Sequence, residues 1–214
     1  MKTMKRAATA LALAVLAASA ACTKNNSNTG DSSTSTPTPT PAGLQKINHV
    51  VVIYLENHSF DNLYGEFDGA EGLSFATTTQ TTQLDTNGVA YVTLPQPMDT
   101  STHLPDPDFP ANLPNAPFNI DAYKAPNLFV PDLVHRFAQE QMQINAGAMN
   151  KFAAWSDAKG LSMGYYHTSD LPLAMEAKRY TLCDHFFHAA FGGSFLNHIW
   201  LVAAASPTFP GGHT

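Results

Sequence analysis

Ser194 follows Gly192-Gly193 and precedes an apolar run, Phe195 to about Ala205, whose composition predicts a helix. Paired glycines let the backbone turn sharply and approach a ligand closely. A helix that starts there directs free N–H groups and the positive end of its dipole outward, a setting that welcomes phosphate. The same field favours an ionised serine oxygen. Asn197 and His198 lie three and four residues on, so they share the Ser194 face of the helix. A hydroxyl flanked by an amide and an imidazole suits phosphoryl transfer. Serine is also a favoured helix N-cap, and that plainer role stands beside the catalytic one.

Glu56-Asn57 offers a carboxylate and an amide carbonyl, both oxygen donors for a divalent cation. The alternative is a polar strand exit with an asparagine turn. His135 follows Asp132 by three residues, and His185 and His188 flank Phe186-Phe187. A lone histidine is more often a hydrogen-bonded structural residue than a ligand. Asp106-Pro107-Asp108 fits a turn as well as a ligand pair, and Met142, Met149 and Met163 suit core filling.

These residues need elements to position them. Ile47–Leu55 is an almost unbroken apolar, β-branched run, the pattern of a strand buried on both faces in a parallel sheet. Ser59 or Asn57 is placed to cap a short helix from Phe60 to Tyr64, ended by Gly65. Residues 66 to about 130 are rich in Thr, Gln, Asn and Pro, with a hairpin expected around Asn87-Gly88, and such a stretch reads as a substrate-facing rim. A helix is expected from an Asp132 cap through Leu133, Phe137 and Ile144, and a second from Leu171 to Lys178 with Asp170 as cap and Pro172 in its first turn. Tyr180–Phe187 reads as another strand before the glycine turn. The order argues α/β with a mainly parallel central sheet, chemistry lying at the carboxyl ends of its strands.

Lys2, Lys5 and Arg6 before the alanine-rich run Ala7–Ala21 form a secretory signal. Cleavage is expected before Cys22, giving a lipid-anchored protein, with cleavage after Ala18-Ser19-Ala20 as the alternative. Residues 22–43, rich in Ser, Thr, Asn and Pro, make a disordered linker, and a single domain is expected over 44–214. Without residues 1–21 the chain keeps 8 basic residues against 17 acidic ones, a balance of −9. That balance argues against nucleic acid as a partner. With Cys22 lipidated or removed, Cys183 would have no disulfide partner.

Two ordered blocks carry a resemblance. Ile47-Asn48-His49-Val50-Val51-Val52 followed by Glu56-Asn57-His58-Ser59-Phe60-Asp61-Asn62-Leu63-Tyr64-Gly65 is one. Met163-Gly164-Tyr165-Tyr166, Asp170-Leu171-Pro172, Tyr180-Thr181-Leu182-Cys183-Asp184 and Phe191-Gly192-Gly193-Ser194-Phe195-Leu196-Asn197-His198 make the other. Together they resemble the bacterial phosphoesterase family, which holds AcpA-type acid phosphatases and phosphatidylcholine-hydrolysing phospholipases C. The resemblance implies an alkaline-phosphatase-like α/β/α sandwich. It also implies a divalent metal on Glu56, Asn57 and Ser194, and attack by Ser194 to give a phosphoserine. Asp132-x-x-His135 matches a family histidine near the phosphate. Gly193-Ser194-Phe195-Leu196-Asn197 looks more like the acid phosphatase branch than the Gly-Pro-Thr setting of the phospholipases.

The family also uses an adjacent pair of aspartates well downstream, and this chain has no two neighbouring acidic residues. The chain is therefore expected to be the N-terminal portion of such an enzyme, inactive in isolation if the missing ligands are essential. The expected substrates are small phosphate monoesters, with phospholipid head groups or a non-catalytic surface lipoprotein as alternatives. The expected location is the periplasm or its membrane surface. A serine esterase is disfavoured because position 196 is Leu where the nucleophile elbow requires Gly.

Overall fold

A computed structural model describes Gly43 and residues 46–208. The expected signal, Cys22, nearly all of the linker and residues 209–214 lie outside the described residues. The chain divides into two units, 1–51 and 52–214. In the first, the Lys46 N–H donates to the Gly43 carbonyl at 3.1 Å. The helices and strands belong to the second, and the run at 47–55 crosses its boundary.

The first helix, α1 (Phe60–Tyr64), forms where its cap predicts. Ser59 Oγ accepts from the Asn62 N–H at 3.1 Å, and the Gly65 N–H closes the far end on the Asp61 carbonyl. Asn62 then anchors α1 sideways: its Nδ2 donates to the Gly164 carbonyl at 2.7 Å, and its own carbonyl accepts from the Tyr166 N–H at 2.9 Å. The Thr168 hydroxyl donates to the Leu63 carbonyl.

The expected rim turns out to carry much of the core. Leu94, Phe109, Leu113, Phe118 and Ile120 from the polar middle stretch pack with Ala153, Ala158, Leu161 and Tyr166. Side-chain amides replace long strands as the framework here. Asn115 Nδ2 donates to the Gln83 and Tyr91 carbonyls, both at 2.9 Å, and its Oδ1 accepts from the Gln83 N–H at 2.8 Å. Gln83, fully buried, accepts through Oε1 from the Phe152 N–H at 2.8 Å. It thereby satisfies an otherwise unpaired amide at the start of a helix. The expected turn at Asn87-Gly88 forms, with Gly88 at φ +86° and Asp85 Oδ1 accepting from the Asn87 and Val89 amides. Asp106 and Asp108 form no ligand pair; both reach Lys124 Nζ, at 2.9 and 3.1 Å.

The remaining elements are short. A helix α2 (Thr78–Thr81) is followed by strands β1 (Met98–Asp99) and β2 (Leu104–Pro105), which pair antiparallel. Strand β3 (Phe118–Asn119) pairs in parallel with β4 (Gly164–Tyr165), Phe118 opposite Gly164. Helices α3 (Phe137–Ile144), α4 (Phe152–Trp155), α5 (Pro172–Arg179) and α6 (Ser194–Ala203) complete the set.

The class is mixed α/β with small sheets, and the described residues form no sandwich around a central parallel sheet. Neither Ile47–Leu55 nor Tyr180–Phe187 is a strand. A strand exists only through a neighbour that accepts its backbone bonds, and among the described residues neither run has one. Val50, Val51, Val52, Ile53 and Leu55 are accordingly exposed. The helix expected from Asp132 starts five residues later, at Phe137, with Arg136 at the N-cap, and the Val134 N–H donates to Asp157 Oδ1 at 2.8 Å. In α5 the cap is Leu171 rather than Asp170, with Pro172 at the first position. Met163 packs against the core, whereas Met142 and Met149 are exposed and fill nothing. No helix among the described residues is long and apolar enough to cross a membrane.

Candidate functional site

Ser194 is the first residue of the ten-residue helix α6, and Gly193, extended at φ −73° and ψ 179°, holds the N-cap position. The capping role left open for Ser194 thus falls to a glycine. Among the described residues no hydrogen bond uses the Ser194 hydroxyl, which sits half-buried in the first turn. Free amides of that turn and the helix dipole give this corner a partial positive charge.

Asn197 is the buried member of α6. Its Oδ1 accepts from the Ala190 N–H at 3.2 Å, and its Nδ2 donates to the Gly192 carbonyl at 3.1 Å and to the Gly193 carbonyl at 3.4 Å. The amide is therefore engaged with the turn that delivers Ser194. His198 donates Nδ1–H to the Ser194 carbonyl at 2.8 Å. A carbonyl only accepts, so Nδ1 carries a proton.

Glu56 and Asn57 are exposed at the end of the apolar run. Asn57 adopts φ 70°, the left-handed region that asparagine tolerates better than most residues, and this turns the chain toward α1. Just beyond, burial raises the Asp61 carboxyl above its ordinary range.

His135 lies before α3, not on it. Its Nδ1–H donates to the Leu133 carbonyl at 2.7 Å, with Asp132 Oδ1 at 3.7 Å.

The structure brings these segments toward one another through aromatic contacts. The Tyr54 hydroxyl bonds His188 Nε2 at 3.1 Å, and its ring centroid lies 4.4 Å from that of His198. The Phe137 and Phe191 rings meet edge to face at 5.1 Å, which ties the start of α3 to the glycine turn. Glu140, Phe187, His188, Ala190, Phe191 and Gly192 line an open hollow of about 290 Å³. No hydrogen bond or ion pair among the described residues joins Glu56 or Asn57 to Ser194 or His135. The Tyr54–His188 and Phe137–Phe191 pairs escaped the sequence reading because each makes its contact across more than fifty residues. Asn197 gave a local signal, an amide three residues after a glycine turn, that also fits closure of that turn.

His185 takes a different part. It bonds Glu71 Oε2 at 2.6 Å, while Asp184 Oδ2 accepts from the Glu71 N–H at 2.9 Å. This exposed clasp fastens residue 71 to the segment before the hollow.

The oxygen donors of Glu56 and Asn57 are of the type a divalent cation takes, but they are only two. Among the described residues no group of three or more His, Cys, Asp or Glu side chains could hold a metal ion. The donor chemistry fits, and the shell is partial.

The chain matches the model of the Phosphoesterase family over residues 47–213, and it belongs to that family. It is similar to phospholipase C A of Mycobacterium tuberculosis, 27% identical over 178 residues, covering 77% of this chain and 30% of that protein. It is also similar to phospholipase C B of the same organism, 27% identical over 172 residues, covering 75% of this chain and 30% of that protein. The chain thus spans about a third of the length of these relatives. No solved structure matches it.

Proposed function

We propose that this chain is the nucleophile-bearing part of an exported, metal-dependent phosphoric ester hydrolase. The observation that carries this reading is Ser194 itself. It stands at the first position of α6 with its hydroxyl free of a capping role, inside the matched stretch. In the proposed reaction Ser194 Oγ gives up its proton and attacks phosphorus, the Oγ–P bond forms as the bond to the leaving alcohol breaks, and the alcohol departs carrying one proton, so that none is gained or lost overall. Water then hydrolyses the phosphoserine. The first-turn amides of α6 and its dipole stabilise charge on the phosphoryl oxygens, where fixed donors act without reorganising. His135 is placed in this scheme beside the phosphate. A divalent cation bound by Glu56, Asn57 and Ser194 would supply Lewis-acid stabilisation. Asn197 serves by holding the turn rather than by touching substrate.

The substrate is proposed to be a small phosphate monoester, on the likeness of Gly193-Ser194-Phe195 to the acid phosphatase branch. The second reading, a phospholipase C acting on phosphatidylcholine-type lipids, is favoured by the names of both mycobacterial relatives. Export through residues 1–21 and a lipid anchor on Cys22 belong to either.

The test compares p-nitrophenyl phosphate with p-nitrophenyl phosphorylcholine on the full-length protein and its Ser194→Ala variant. Turnover of the monoester, abolished by Ser194→Ala, is expected. Turnover of the choline ester alone would select the phospholipase, and unchanged turnover in the variant would remove Ser194 from the reaction.

A further inference from the structure

We propose that Tyr54 is a positioning residue that registers the Glu56–Asn57 exit against the helix carrying Ser194. This inference rests on the function proposed for Ser194. From residue 46 to residue 59 every side chain is exposed except that of Tyr54, which is half-buried. Its neighbours Ile53 and Leu55 face solvent, so Tyr54 is the point at which this run is held. Both of its partners belong to the nucleophile segment. The Tyr54 hydroxyl meets His188 Nε2 at 3.1 Å, with the rings stacked at 5.9 Å, and the His198 ring lies tilted at 4.4 Å.

Neither partner is loose. His198 is fixed one helical turn from Ser194 by its bond to the Ser194 carbonyl. His188 stands two residues before Ala190, whose amide Asn197 holds. Tyr54 precedes Glu56 by two residues. A tyrosine serves here where valine or isoleucine would suit an ordinary strand, because it combines a rigid ring with a polar tip able to reach a partner. Movement of Tyr54 would shift the carboxylate and amide relative to the nucleophile, and displacements near 1 Å in a reacting geometry cost on the order of 100-fold in rate.

The experiment uses the full-length protein and whichever nitrophenyl ester it hydrolyses. Tyr54→Phe keeps the ring and loses the tie to His188; His188→Ala removes the same tie from the other side. Each is expected to lower kcat by roughly 3- to 10-fold with KM and Tm little changed, and the double variant to match either single, because contacting residues are not additive. Tyr54→Leu, which also removes the ring, is expected to lose about 100-fold in kcat. Full wild-type kcat in Tyr54→Leu, or multiplying effects of the two singles, would overturn the proposal. The two single variants decide it if Tyr54→Leu does not fold. A readout independent of turnover is the His198 Hε1 resonance, which must move when the Tyr54 ring is removed; an unmoved resonance also overturns it. If these tests fail while Ser194→Ala is dead, only the role of Tyr54 falls. An active Ser194→Ala would instead remove the underlying reading.

Discussion

Asn197 donates from its amide to the Gly192 carbonyl at 3.1 Å, reaching back across the N-terminus of the helix it belongs to. The same side chain accepts from Ala190, so a single buried amide closes the turn on both sides. Glycine at 192 and 193 lends the turn freedom, and Asn197 removes it again.

Asn197→Ala is therefore expected to leave two backbone groups of the turn without partners. The stability loss should be about 1 kcal/mol, because the bonds lost are part-buried and water can replace some of them. If Ser194 is the nucleophile as proposed, kcat of the full-length protein should fall by roughly 100-fold through its misplacement. Asn197→Asp, which keeps the acceptor and loses the donor, should lie between. Urea unfolding and steady-state kinetics on the two variants check this ordering.

Gly160 is tight for a different reason. A methyl group there would collide with the Pro95 carbonyl oxygen, a backbone atom, and would also press on Leu94 of the core. Gly160→Ala should destabilise by about 1–3 kcal/mol, the range for overpacking. Gly193→Ala, which meets nothing nearby, should be far milder toward folding. Thermal unfolding of the pair separates the two cases.

The Lys124 clasp has unequal arms. Burial disfavours the ammonium, yet the bonds and charges from Asp106 and Asp108 outweigh it and hold the Lys124 pKa above its ordinary value. Asp106 is 8% exposed at its side chain and Asp108 52%. Asp106→Ala should cost about 2–4 kcal/mol by leaving a nearly buried ammonium on one weak partner, while Asp108→Ala should cost less than about 1 kcal/mol. Denaturant titrations of both variants measure the difference.

His185 predicts a pH dependence. Its bond to Glu71, then the charges of Glu71 and Asp184, raise its pKa above the ordinary 6.5. A raised folded pKa means the contribution of this clasp is complete below 6.5 and is lost as pH rises through the folded value. Asp184 runs the other way. Its bond from the Glu71 amide lowers its pKa, so its share is present above the ordinary value and fades as acid approaches the lowered one. Following the His185 ring resonance by NMR should give a midpoint above 6.5 that drops in Glu71→Gln.

What the sequence made legible was local. Ser59 capping α1, the Asn87-Gly88 turn, Pro172 opening α5 and the glycine start of α6 each depend on a few adjacent residues, and each formed. The runs at 47–55 and 180–187 have strand composition, but pairing is a relation with a distant neighbour that composition does not contain. The polar middle stretch concealed a core because Leu94, Phe109 and Leu113 are isolated apolar residues with no period, gathered by Gln83 and Asn115 rather than by a ladder. At the candidate site the chemistry-bearing residues stood out by type. Tyr54 did not, since one aromatic within an apolar run resembles its neighbours until its partners are known.

The open run at 47–55 has a colloidal consequence. Side chains such as Val51, 85% exposed, and Ile53, 77% exposed, stand beside backbone groups with no partner among the described residues. An apolar segment with an unpaired edge is a template for strand addition by whatever chain is at hand. Prepared as it stands, this polypeptide should bind the dye ANS and scatter more light as its concentration rises, and a lysine at position 51 should suppress both.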